Sequence, residues 1–109
     1  MKLIVAVVQN EDIGRLLDAL QKEGIMATKL STSGGFLRSG NTTLLIGIDD
    51  DRVSEVIDII SQKCKTRKQI VSSPVTNNPS TGVYMPYPIE ITIGGATIFV
   101  LNVERFEKV

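Results

Sequence analysis

After Lys2, the stretch 2–8 (KLIVAVV) is apolar and mostly β-branched, with no alternation. Such a run suits a central strand buried on both faces, or on one face and a subunit interface. Asn10, Glu11 and Asp12 follow, a cluster typical of a helix start. Ile13, Leu16, Leu17 and Leu20 then recur at i, i+3, i+4 and i+7, one apolar helical stripe that Gly24 ends. Residues 25–32 (IMATKLST) and 42–48 (TTLLIGI) read as strands. Asp49, Asp50 and Asp51 open a second helix, with the stripe Val53, Val56, Ile57, Ile60 and Cys64. The acidic triplet suits the positive end of a helix dipole. A calcium loop needs Gly and further oxygen ligands at fixed spacing, and this segment lacks them.

Shifting the chain by 40 residues lays IVAVVQNEDIGRLLDAL over LLIGIDDDRVSEVIDII. Apolar positions match apolar ones, and the acidic turns coincide. Two strand–helix units, each with a further strand, predict an α+β fold: a ferredoxin-like split βαβ sandwich in one domain, residues 1–109. Both helices should pack on one sheet face. A chain of this length offers no third layer, so self-association is the natural cover for the other face. Residues 66–71 suit a short strand. Residues 72–86 (SSPVTNNPSTGVYMP) predict a long loop, mobile without ligand, with Tyr84 and Met85 as clamps if ligand orders it. Residues 89–93 and 96–103 alternate around Gly94-Gly95, which predicts a C-terminal hairpin.

Composition narrows the function. Lys plus Arg is 12 and Asp plus Glu is 12, so there is no basic excess for phosphate backbones or anionic membranes. The absence of His removes the commonest general base and metal ligand. The single cysteine, Cys64, forms neither an internal disulfide nor a Cys-rich zinc site. No apolar run approaches the roughly 20 residues that span a bilayer, and MKLIVAVVQ lacks a signal-peptide cleavage site. The expectation is a soluble cytoplasmic protein that binds rather than catalyses. An enzyme on this fold lacks a base–nucleophile pair and clustered carboxylates. An RNA-binding module is opposed by 5% aromatics and zero net charge.

The segment from Thr28 to Gly47, centred on TSGGFLRSGNTT, carries the candidate chemistry. Gly34-Gly35 permit positive φ and a concave array of backbone N–H groups, an anion nest. Ser31, Thr32, Ser33, Thr42 and Thr43 add hydroxyls, Arg38 a planar donor fork, and Phe36 a face for stacking a base. Together they suit a ligand that combines phosphate with an aromatic base. The same residues also allow a plainer role, with the glycines shaping a turn and Phe36 plugging the core. The segment is neither a Walker A loop nor a Rossmann fingerprint.

Three stretches, ATKLSTSGGFLRSGNTTLLIG at 27–47, DDRV at 50–53 and PYPIEITIGGATIFV at 86–100, make the chain resemble the PII-like cyclic-di-AMP receptors of Gram-positive bacteria, the PstA or DarA group. The resemblance covers the whole chain. It implies a homotrimer that binds cyclic di-AMP in clefts between subunits, needs no cofactor, and signals through loop changes to a downstream protein partner. It implies that Thr28 and Gly47 meet an adenine edge, with Met26 and Ala27 beside them. Gly35, Phe36 and Leu37 would wrap the ligand, and Asn41 would bind its phosphate and ribose region. Phe99 would line the pocket from the adjoining subunit. The family often places Arg where this chain has Met26, so a cation–π stack on adenine gives way to a thioether contact.

Overall fold

A computed structural model of the chain describes residues 1–30, 40–73 and 87–109. In chain order the elements are β1 (Lys2–Gln9), α1 (Asn10–Lys22), β2 (Thr28–Leu30), β3 (Asn41–Ile48), α2 (Val53–Lys63), β4 (Arg67–Ser73), β5 (Tyr87–Ile93) and β6 (Ala96–Asn102), with a short 3-10 turn at Asp50–Arg52 before α2. One antiparallel sheet has the order β2-β3-β1-β6, and β4 pairs with β5 in a separate ribbon. This is a PII-like, ferredoxin-like arrangement, with the edge position beside β1 filled by β6.

Alternation along the two central strands decides where the core lies. Ile4, Ala6 and Val8 of β1 and Leu44, Ile46 and Ile48 of β3 point to the helices and are buried. Leu16 and Leu20 of α1, Val56 and Ile60 of α2, and Cys64 close over them. Ile13, Leu17 and Val53 pack at the margin of this core. The expected helical stripes are therefore the buried faces, except that Ile57 stays outside the core and Ile59 packs against it instead. The run 2–8 is one-sided: its other face, Leu3, Val5 and Val7, stays half-buried.

Three boundaries and one pairing differ from expectation. The strand expected at 25–32 starts at Thr28, because the N–H of Ile25 closes α1 by bonding Leu20 O at 2.9 Å. Its side chain then plugs the core. The strand expected at 66–71 runs from Arg67 to Ser73, so Ser72 and Ser73 are strand rather than loop. Tyr87 begins β5, and the rest of the expected loop, with Tyr84 and Met85, lies outside the described residues.

The hairpin expected around Gly94-Gly95 is absent as such. β5 pairs with β4 and β6 pairs with β1, so the hairpin of the C-terminal half is β4–β5. Gly94 and Gly95, at φ of 84° and 90°, turn the chain from one sheet into the other. Main-chain atoms crowd this corner. A Cβ on Gly94 would lie 2.5 Å from Lys65 O, so only glycine fits. Among the described residues no helix is long and apolar enough to cross a membrane, and no group of three or more Asp, Glu or Cys side chains is placed to hold a metal ion.

Candidate functional site

Strand register assigns the expected site residues to faces. Thr28 pairs with Leu45, Leu45 with Val5, and Val5 with Phe99, so these four form one row across the sheet. Gly47, Leu3 and Leu101 form a parallel row, and Leu30, Thr43, Val7 and Thr97 another. Asn41 faces Gln9 at the end of the two central strands. In-register partners project to the same side, and the rows share the parity of Val5. Thr28, Asn41, Gly47 and Phe99 therefore all lie on the sheet face away from the helices.

That face is open and largely apolar. Phe99 and Leu101 are 55% and 48% exposed. One chain does not gather its site residues into a single pocket. Thr28 and Phe99 stand three strand spacings apart, about 14 Å. Asn41 and Gly47 are six residues apart along β3, about 20 Å. Met26 is 87% exposed at the sheet edge, where it borders a shallow depression with Leu17, Leu20, Gln21, Ile25 and Ala27. Met26 and Ala27 thus sit apart from Phe99. Gly35, Phe36 and Leu37 lie outside the described residues.

Three residues at the β1–α1 junction, Gln9, Asn10 and Asp12, tie two loop bases together. The N–H of Asn10 bonds Gly40 O at 2.8 Å, and the Thr42 hydroxyl donates to Asn10 Oδ1, which anchors the end of the segment that leads into β3. Gln9 Oε1 accepts the N–H of Gly94 at 2.7 Å. Asp12, wholly buried, accepts from Arg67 Nη2 at 2.7 Å and Arg15 Nη2 at 2.6 Å. The ribbon β4–β5 is thus pinned at its base through both strands, by Arg67 at the start of β4 and by Gly94 just beyond β5. The hydrogen bond from Arg67 leads in holding the Asp12 carboxyl below the ordinary aspartate range, against burial, which pushes the other way.

Beside this junction a cavity of about 260 Å³ is lined by Val7, Gln9, Asn41, Gly94, Gly95, Ala96 and Thr97. Its polar side chains, Gln9, Asn41 and Thr97, are uncharged. Among the expected site residues that are described, only Asn41 lines it. Gln9 and Thr97 did not stand out in the sequence. The one signal there is parity: Gln9 lies two residues beyond Val7, on the same side of β1.

The family model for the cyclic-di-AMP receptor matches residues 1–109, the whole chain. A curated relative, the nitrogen fixation nifHD region GlnB-like protein 1 of Methanothermococcus thermolithotrophicus, is 33% identical over 79 residues, covering 61% of this chain and 75% of that protein. A crystal structure of a functionally unknown protein from Pediococcus pentosaceus superposes with a TM-score of 0.75 at 42% identity, covering 99% of this chain and 96% of the other.

Proposed function

The chain belongs to the cyclic-di-AMP receptor family, and from that premise we propose that it is a single-domain, homotrimeric cytoplasmic signal receptor that binds cyclic di-AMP in clefts between subunits. One observation carries the inter-subunit part of this reading. Thr28 and Phe99 share a single open sheet face yet stand about 14 Å apart, too far to hold the two sides of one base. A second copy packed on that face supplies Phe99 to the Thr28 side of its neighbour and covers the apolar rows at the same time.

In this reading Thr28 and Gly47 read an adenine edge with backbone groups, while Met26 and Ala27 flank it. Gly35, Phe36 and Leu37 wrap the ligand, and Asn41 holds its phosphate and ribose. Binding changes loop conformation, and a protein partner senses the change without turnover of the ligand.

Calorimetry with a panel of cyclic dinucleotides tests it. Guanine's extra amino group leaves an unpaired polar group in a site built on backbone donors and acceptors, at about 1–3 kcal/mol per base. With two bases per ligand, cyclic di-AMP should therefore bind at least about 30-fold tighter than cyclic di-GMP. Phe36→Ala should weaken it by about 5- to 150-fold, the worth of one stacked base. Equal binding of the two dinucleotides would defeat the edge readout. Breakdown of cyclic di-AMP during incubation would point to an enzyme instead.

A further inference from the structure

We infer that Asn10 and Thr42 are positioning residues for cyclic-di-AMP binding: joined by a hydrogen bond on the helix side of the sheet, they fix the main chain on both sides of Asn41 and so set where its side chain stands on the opposite face. The inference rests on the receptor reading above, which gives Asn41 a contact with the ligand, and it adds two residues that touch no ligand themselves.

Two local rules are broken at this contact. Along β3 the helix-facing positions are Thr42, Leu44, Ile46 and Ile48, and Thr42 is the one polar member of the row. It stands opposite Val8 and is 7% exposed, so packing alone asks for an apolar side chain such as valine. A hydroxyl buried there is destabilising unless it is hydrogen-bonded, and Asn10 Oδ1 is its acceptor. Asn10 breaks the second rule. Asn at a helix start commonly caps the free N–H groups of the first turn, and the residue at the N-cap position of α1, Gln9, makes no side-chain cap bond. The Asn10 oxygen nevertheless reaches across to β3. A sequence that departs from core patterning and from helix capping at one contact marks a place where something besides stability is specified.

What the contact specifies is Asn41. The Asn10 N–H holds Gly40 O at 2.8 Å, on the residue before Asn41, and the Asn10 side chain holds Thr42, the residue after it. Gly40 takes a φ of 95°, a turn that suits glycine and feeds the chain into the strand. Side chains alternate along a strand, so with Thr42 held towards the helices Asn41 is directed to the open face. Asn41 is also the first residue of β3, and element ends are where local opening is least costly. The grip of Asn10 on both neighbours closes off that opening.

Thr42→Val removes the hydroxyl and nearly keeps the shape. Asn10 is exposed, so water can take up its freed oxygen and the melting temperature should change little. Calorimetry should show cyclic di-AMP binding about 3- to 10-fold more weakly, the range of one ordinary hydrogen bond. Thr42→Ser keeps the hydroxyl and should recover most of that loss. Asn10→Ala breaks the same contact from the solvent side, where no core is emptied, and should show the same loss, which keeps the test open should Thr42→Val fold poorly. Asn10→Asp, still an acceptor, should recover it. The deciding measurement is a double-mutant cycle with Asn41→Ala. If Thr42 acts through Asn41, Thr42→Val adds no further loss once Asn41 is alanine. Losses that simply add overturn the inference, because Thr42 then acts elsewhere. So do Thr42→Val and Asn10→Ala proteins that bind as the wild type does while Asn41→Ala weakens binding. In both cases the receptor reading survives. A loss as large in Thr42→Ser as in Thr42→Val, tracking a lower melting temperature, also overturns it and leaves the contact purely structural. If Asn41→Ala itself binds as the wild type does, the inference falls together with the part of the reading that gives Asn41 a contact. Failure of the wild type to bind cyclic di-AMP overturns the inference and the receptor reading together.

Discussion

Asp12 concentrates the residue-scale lesson. In the sequence it reads as one of three polar residues at a helix start, and nothing local marks it as buried. Its partner Arg67 lies 55 positions away, beyond the reach of any periodicity. With its folded pKa lowered, chiefly by that hydrogen bond, Asp12 contributes stability that is complete above the ordinary aspartate range and disappears as pH falls through the folded value. Asp12→Asn keeps the shape and removes the charge, and should cost about 1.5–3 kcal/mol at neutral pH, the worth of hydrogen bonds to a charged group. Denaturant melts across pH should show the gap between wild type and variant closing in strong acid, where the wild-type carboxyl is itself protonated. A gap that stays constant with pH would mean that the carboxylate charge contributes nothing. Cys64 gives an independent check on the same corner. Burial pushes its thiol up to about 11, so at neutral pH it is a poor nucleophile as well as an inaccessible one. Alkylation by iodoacetamide should track global unfolding, and rapid labelling of the native protein would contradict the packing around Asp12.

At the scale of elements, what was legible is what local periodicity encodes. Both helices, their buried stripes and the two central strands came out of the sequence to within a residue or two, and the 40-residue repeat carried the order of the first two units. Strand pairing was not legible in the same way. Gly-Gly between two alternating strands is a hairpin signal only if those strands have no better partner, and here β1 offers β6 a full register from Lys2 to Val8. The glycines survive as a corner, for a reason that is also conformational. Gly94→Ala meets both a positive φ of 84° and a Cβ within 2.5 Å of Lys65 O. The substitution should lower the melting temperature and release the bond to Gln9. An unchanged melt would show that the corner relaxes freely. Of the expected site residues, Thr28, Asn41, Gly47 and Phe99 share the sheet face away from the helices, which only the register reveals, and register alone puts Gln9 and Thr97 near Asn41.

For the molecule as a whole, the unpaired surfaces argue for copies of itself. The sheet has helices on one side and Leu3, Val5, Val7, Leu45, Phe99 and Leu101 on the other. The ribbon β4–β5 is two-stranded, a unit that is marginal alone in water, and its Ile89 and Ile91 remain 38% and 36% exposed. A large apolar side chain gains about 1.5–3 kcal/mol when it passes from exposed to buried, so covering the half-exposed Phe99 and Leu101 in each copy gives a substantial part of an obligate interface. Sedimentation at micromolar concentration should therefore return three times the 11.9 kDa of one chain. Leu101→Lys tests the face directly. At an exposed edge-strand position the lysine costs the isolated fold little, but within a subunit contact it is an unpaired buried charge. The variant should dissociate towards 11.9 kDa and lose cyclic-di-AMP affinity in the same concentration range. Gln62→Lys, on the helix side, should leave both mass and affinity as they are. If Leu101→Lys stays fully associated, the open sheet face is not the interface. If it dissociates yet binds cyclic di-AMP as tightly as before, each chain holds a complete site and Phe99 has no role across the contact.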